Sequence, residues 1–202
     1  MADKIKKMPS TLLTMSLTLF FVTLISSALL GYVYTLTKGP IEEANKKKEK
    51  QALKLVLPDF DNNPLAEKIT VPSDLDSLDC YIAKKNGKVV GVAVKTYTLK
   101  GFGGRFDVMV GFLPDGTIYN TSVLNHQETP GLGDKIDKKK SDWSNQFNGK
   151  NPQNFKLAVT KDGGDVIPIT AATISSRAYT DAVKRAYTSF IKYIKPNLNS
   201  KN

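Results

Sequence analysis

The chain has 202 residues, which suits one domain of ordinary size or a membrane anchor followed by one domain. With 41% hydrophobic and 24% charged residues it is globular rather than disordered over most of its length. Its net charge of +10 comes mainly from lysine runs such as Lys46-Lys47-Lys48 and Lys138-Lys139-Lys140, which lack the interleaved aromatics of a single-stranded nucleic-acid binder, so no nucleic acid is expected as partner. A single cysteine, Cys80, rules out an intrachain disulfide and a thiolate metal cluster, and a single histidine, His126, rules out a multi-histidine zinc site.

Residues 1–10 form a short tail carrying Lys4, Lys6 and Lys7. Thr11 to Leu36 holds no charged residue and is long enough to cross a bilayer core, which takes about 20 apolar residues. Tyr32 and Tyr34 near one end suit the headgroup region. Ser26-Ser27-Ala28 resembles a signal cleavage site, but the apolar run continues through Val33, so residues 11–36 read as a retained anchor. Lysines flank both ends, so the charge rule leaves its orientation open. Residues 37–58 follow as a juxtamembrane helix or linker. Pro40 suits a first helical position, Glu42 and Glu43 suit the first turn, and Pro58 is a stop. Its polar half reads as a solvated face beside the membrane, with contact to membrane lipid as the alternative.

Residues 59–202 read as one α+β domain with an antiparallel sheet and flanking helices. Tyr81 to Thr98 alternates around Asn86-Gly87, a hairpin signal. Arg105 to Phe112 predicts another strand, turned by Asp115-Gly116 into Thr117 to Leu124, and Phe155 to Thr160 is a candidate further strand. Asn120-Thr121-Ser122 matches a glycosylation sequon, but inside a predicted strand it reads as chance. The loop Asn125 to Ile136, "NHQETPGLGDKI", is tightly turned, and its glycines let a flat ligand or another backbone come close. From Ala178, apolar residues recur every fourth position to Ile194, predicting a helix that packs on the core and ends at Pro196.

Before that helix stands "ITAATISS", Ile169 to Ser176. Ser175 or Ser176 would cap the helix, which leaves Thr170 and Thr173 beside the free N–H groups of a helix start, a natural seat for phosphate or another anion.

"TAATISS" resembles the flavinylation motif of the FMN-binding domain family, usually written Ser/Thr-Gly-Ala-Thr. The loop "ETPGLGDKI", Glu128 to Ile136, is similar to the family's second signature, and "DWSNQFNGK", Asp142 to Lys150, and "DGG", Asp162 to Gly164, fit the same pattern. With the anchor, the resemblance covers nearly the whole chain. By length and layout it is greatest to the G-subunit family of Rnf-type electron-transport complexes, with the C subunits of sodium-translocating NADH:quinone oxidoreductases as a close second. The resemblance implies FMN bound covalently, by a phosphoester to Thr173. It implies contacts from Glu128, Thr129, Leu132, Gly133, Thr170, Ala172, Ser175 and Ser176. Neither a catalytic acid or base nor a metal is implied; His126 has no role in it, and Lys135 is a candidate to neutralise reduced flavin. It further implies a flavin transferase for maturation, neighbouring subunits against which the anchor docks, and a C-terminal domain on the outer face of the bacterial inner membrane.

Two residues depart from the pattern. Ala171 stands where the family has glycine, so a positive φ there would cost energy. Ile167 stands six positions before the threonine in place of the usual aspartate, with Asp165 two residues earlier. An anchored binding module without redox activity is the rival reading, in which Thr173 would carry no cofactor. A soluble flavin reductase is disfavoured by the anchor and by the lack of a dinucleotide motif.

Overall fold

The computed structural model describes residues 11–74 and 76–199, so Lys4, Lys6 and Lys7 of the N-terminal tail lie outside the described residues. The chain divides into two compact units, one ending at Lys47 and the other beginning at Lys48.

Helix α1 spans Leu12–Val56, and its apolar stretch is long enough to cross a membrane. The large apolar side chains of that stretch are exposed, among them Leu19, Phe20, Val22, Leu24, Ile25 and Leu29. Its threonines satisfy their hydroxyls locally, Thr18 Oγ1 donating to Thr14 O at 2.6 Å and Thr35 Oγ1 to Gly31 O at 2.6 Å. Such back-bonding hides a hydroxyl where no water is available. Pro40, expected to begin a separate helix, lies inside α1 instead. Pro40 removes one backbone donor and Gly39 before it is a weak helix former, yet the helix runs on across both.

The second unit is built on a five-stranded antiparallel meander in chain order: β1 (Lys68–Pro72), β2 (Ser77–Lys85), β3 (Lys88–Gly101), β4 (Gly104–Phe112) and β5 (Ile118–Asn125). Asn86 and Gly87, with φ of 52° and 77°, form the tight β2–β3 turn expected from their sequence. Alternation along the strands sends side chains to two faces. Cys80, Val92, Val94, Val108 and Val110 face one core with Phe106 and Phe112. Tyr81, Ala83, Ala93 and Met109 face the other, where Ala52, Leu53, Val56 and Leu57 cover them.

Helix α2 (Thr173–Ser189) lies on the first core through Ala178, Tyr179, Ala182, Val183 and Ala186, the stripe expected from its periodicity. Each large apolar side chain fully buried here contributes about 1.5–3 kcal/mol. Pro196 does not end the helical run. Phe190–Ile194 forms a π-helical turn, and Pro196 sits in the first turn of the short helix α3 (Lys195–Asn199). The helical backbone continues through the π turn into Pro196, whose missing N–H removes one bond of the ladder. Phe155 to Thr160 forms no strand. Its backbone pairs locally with Asp165 and Val166 through Lys156, Ala158 and Thr160, and this amounts to a single bridge, Val159 with Val166.

Candidate functional site

The start of α2 is set by the backbone before it. Ala171 takes the left-handed conformation, φ 61°, and Ala172 N–H donates to Ile169 O at 3.0 Å. The chain then enters the helix at Thr173 with Ala172 as N-cap and no side-chain cap bond. Neither serine caps the helix as expected. Both fall in its first turn and serve elsewhere. Ser176 Oγ donates to Ala172 O at 3.0 Å and accepts from Ile169 N–H at 2.9 Å, locking the turn from inside. Ser175 Oγ donates to Glu128 Oε2. Ser176 N–H makes the first intrahelical bond, to Ala172 O at 3.1 Å, so the N–H groups of Thr173, Ile174 and Ser175 stand ahead of the ladder.

Glu128 draws three distant segments together. It is buried, with its carboxylate accepting from Ser175 of α2 and from Gly103 N–H, at 3.1 Å, in the β3–β4 turn. Its own N–H donates to His126 Nδ1 at 3.2 Å. The loop continues as a turn in which Thr129 O accepts from Leu132 N–H at 3.2 Å and Asp134 N–H at 3.3 Å. Gly133 passes so close to this clamp that a Cβ there would lie 2.5 Å from Glu128 Oε2 and 2.6 Å from Ser175 Oγ.

Around these residues opens a cavity of about 310 Å³. It brings together Glu128, Thr129, Leu132, Gly133, Ala172, Thr173 and Ser175, all expected from the sequence. Thr170 is exposed and Ser176 fully buried, and neither lines it. Lys135 is exposed and lies outside the lining, and His126 lines a different cavity together with Lys138 and Lys139. Burial holds the Lys138 amine below its ordinary value.

Ala171, singled out in the motif, also lines the cavity around Glu128, and two lining residues escaped the sequence reading: Phe102 and Ile174. Phe102 is 68% exposed on the β3–β4 turn, and with Ile174 at 50% and Leu132 at 42% it makes an apolar rim. Its sequence signal is an aromatic set among glycines, "GFGGR", where a core residue is not expected.

Lys161 was also missed. Its Nζ lies 3.4 Å from Thr173 Oγ1. The adjacent Asp162 is held by both Nε and Nη2 of Arg177, each at 2.7 Å, and this pairing keeps the Asp162 carboxyl below its ordinary value. Asp165 is occupied locally, accepting from Lys156 N–H at 2.6 Å. Ile167 holds its place by its backbone, with its N–H donating to Gln146 Oε1 at 2.8 Å and its oxygen accepting from Trp143 Nε1 at 2.6 Å, while its side chain is exposed.

The features suit a flavin phosphate. The Thr173 hydroxyl on the cavity wall lies beside unpaired N–H groups and 3.4 Å from Lys161 Nζ, Phe102, Ile174 and Leu132 offer apolar surface for a flat ring, and Gly133 keeps the wall thin.

Residues 101–188 match the model of the FMN-binding domain, and residues 6–56 match that of the RnfG N-terminal region. The G subunit of the ion-translocating oxidoreductase complex of Erwinia tasmaniensis is 38% identical over 192 residues, 91% of each chain. Its counterpart in Pasteurella multocida is 38% identical over 184 residues, 86% of this chain and 90% of the relative. That of Vibrio cholerae serotype O1, strain M66-2, is 37% identical over 173 residues, 80% of this chain and 82% of the relative. On this similarity the chain belongs to the family of G subunits of ion-translocating oxidoreductase complexes and carries that family's FMN-binding domain.

Proposed function

We propose that this chain is the electron-transfer subunit of an Rnf-type ion-translocating oxidoreductase complex, with FMN carried as a phosphoester on Thr173. In this reading residues 11–36 span the bacterial inner membrane and residues 37–58 continue beside it. Residues 59–202 form the flavin domain on its outer face.

The observation that carries the reading is the position of Thr173. Its half-buried hydroxyl sits at the first turn of α2, on the wall of a cavity whose rim is apolar. An anion at a helix N-terminus gains only about 0.3–2 kcal/mol. That is too little to retain a dissociable cofactor outside the cytoplasm. A covalent tether replaces bulk affinity by a local effective concentration, so modest ring contacts suffice.

Flavin supplies one- and two-electron transfer, and the protein supplies placement. Thr129, Leu132, Gly133, Ala172 and Ser175 line the cavity and would hold the ring, with the exposed side chains of Phe102 and Ile174 available to cover it. Glu128 keeps the two sides in register through Gly103 and Ser175. Thr170 and Ser176 shape the turn that presents Thr173. No residue need move a proton. The open rim leaves the ring accessible to donor and acceptor centres in neighbouring subunits, and a flavin transferase loads the site.

The test is full-length protein made in a host with an active flavin transferase, read by intact mass and by in-gel flavin fluorescence after denaturation. One covalent FMN in the wild type and none in Thr173→Ala is the expected result. An unmodified wild type would favour an anchored binding module without redox activity.

A further inference from the structure

Resting on that reading, we infer that Lys161 is the phosphate-binding side chain of the flavinylation site, holding the negative charge that Thr173 acquires. The threonine lies at the start of α2, and a helix start offers N–H groups but only a partial charge. Lys161 adds a full one. Its Nζ is 3.4 Å from Thr173 Oγ1, the atom that bears the modification.

The turn that carries Lys161 is anchored at several points. Residues Thr160–Asp162 make a single 3-10 turn closed by Gly163, whose N–H donates to Thr160 O at 3.1 Å. Asp162 N–H donates to Val159 O at 2.8 Å, and Gly164 N–H donates to the same oxygen at 3.1 Å. Asp162 is then fixed to Arg177 by two bonds of 2.7 Å. Arg177 follows Thr173 by one helical turn and so lies on the same face of α2. The Asp162–Arg177 pair therefore docks the turn on α2 beside Thr173. It also settles the local charges. The carboxylate next to Lys161 is already neutralised by the guanidinium, while Lys161 has no carboxylate partner among the described residues. Two charges pair with each other, and one cation is left facing the hydroxyl.

Forming the linkage needs an activated phosphoryl donor, because joining a hydroxyl to a free phosphate monoester in water is uphill. A flavin dinucleotide provides one. Thr173 Oγ1 forms the new bond to the flavin-side phosphorus, and the phosphorus–oxygen bond within the diphosphate breaks. AMP departs with that oxygen, and the hydroxyl proton passes to solvent. No oxidant or reductant enters. Charge builds on the phosphoryl oxygens during the exchange, and one unit remains on the resulting diester. A cation already placed at Oγ1 favours both.

The experiment is a time course of covalent flavin incorporation into full-length, detergent-solubilised protein, with purified flavin transferase and flavin dinucleotide, read by intact mass. Wild type, Lys161→Ala, Lys161→Arg and Lys88→Ala are compared. Lys88 is exposed on the far β2–β3 hairpin, so its variant removes one positive charge away from the site. Loss of a charge-assisted hydrogen bond predicts incorporation slower by about tenfold or more in Lys161→Ala. Lys161→Arg should recover part of the rate, and Lys88→Ala should match wild type. Matching thermal melts establish that the variants fold. If wild type is loaded and Lys161→Ala loads at the same rate, the role of Lys161 is overturned and Thr173 is unaffected. If Lys88→Ala slows as much as Lys161→Ala, the effect is one of net charge and the inference also fails. If wild type takes up no flavin, the underlying reading fails with it.

Discussion

Helix α2 borders two cavities, and they differ in kind. The one at its N-terminal end, about 310 Å³, has an apolar rim and three N–H groups ahead of the helical ladder, and its Thr173 hydroxyl is met by Lys161, which has no carboxylate partner among the described residues. The one beside its C-terminal half is larger, about 480 Å³, and is lined by Asp74, Asp181, Lys184, Arg185 and Lys192. Its central charge is already satisfied. Arg185 is buried, its Nε lies 3.0 Å from Asp74 Oδ1 and its Nη2 3.1 Å from Asp181 Oδ2, and its Nη1 donates to Tyr97 O. Volume and charge alone would point to the second cavity. Unmet donors point to the first. Arg185 ties α2 to β3 and to the Asp74 turn, so the second cavity reads as structure and the first as a site.

The largest expected effect falls on the structural end. Arg185→Met removes a buried cation and strands the Tyr97 carbonyl, at a cost of about 2–3 kcal/mol in urea unfolding. The folded fraction should still carry flavin, and loss of flavin from folded protein would break the contrast between the two ends.

Gly133→Ala attacks the other end. The added Cβ must push Glu128 and Ser175 apart, at about 1–3 kcal/mol. Flavin incorporation should fall well beyond what the lost stability explains, because the same clamp sets the width of the cavity. An alanine variant that loads normally would show that the Glu128–Ser175 bond does not shape the site.

A smaller change sharpens the account in the favourable direction. Ala171 adopts φ 61°. Ala171→Gly should therefore raise stability by about 1 kcal/mol in thermal or urea unfolding, with Thr173 still modified.

The smallest effect is a pH slope. Burial alone would raise the Asp181 carboxyl, but the hydrogen bond from Lys100, the charges of Arg185 and Lys100, and the Thr98 hydroxyl bring it below its ordinary value of 3.8. A carboxyl lowered by folding adds stability that is present above its unfolded value and is lost as pH falls through the folded one. Below pH 3.8, wild type should lose stability more steeply than Asp181→Asn, measured by urea midpoints across the acid range.

Local signals made much of this legible. The Asn86-Gly87 turn, the β4 and β5 strands and the apolar stripe of α2 are carried by neighbours in sequence, and the structure has them all. The short edge strand β1 offered little, since four of its five residues are exposed and no alternation stands out. The positive φ at Ala171 was readable as a cost because the motif pattern has glycine there. The helix cap was misread because capping propensity sees only hydroxyls near a helix start. It does not see that Glu128, 47 positions away in the chain, claims Ser175. The roles of Phe102 and Lys161 were hidden for the same reason, although an aromatic set among glycines marks Phe102 in the sequence. Phe102 reaches the cavity and Lys161 reaches Thr173, each from its own turn, and only the folded sheet and the Asp162–Arg177 pair bring those turns to α2.

The most direct measurement is fragmentation of the tryptic peptide Asp162–Arg177 from full-length protein matured with a flavin transferase. That peptide holds Thr170, Thr173, Ser175 and Ser176, so a single spectrum discriminates among every hydroxyl at the start of α2. The account predicts one FMN, on Thr173 alone. An unmodified peptide, or flavin on any of the other three, would contradict it.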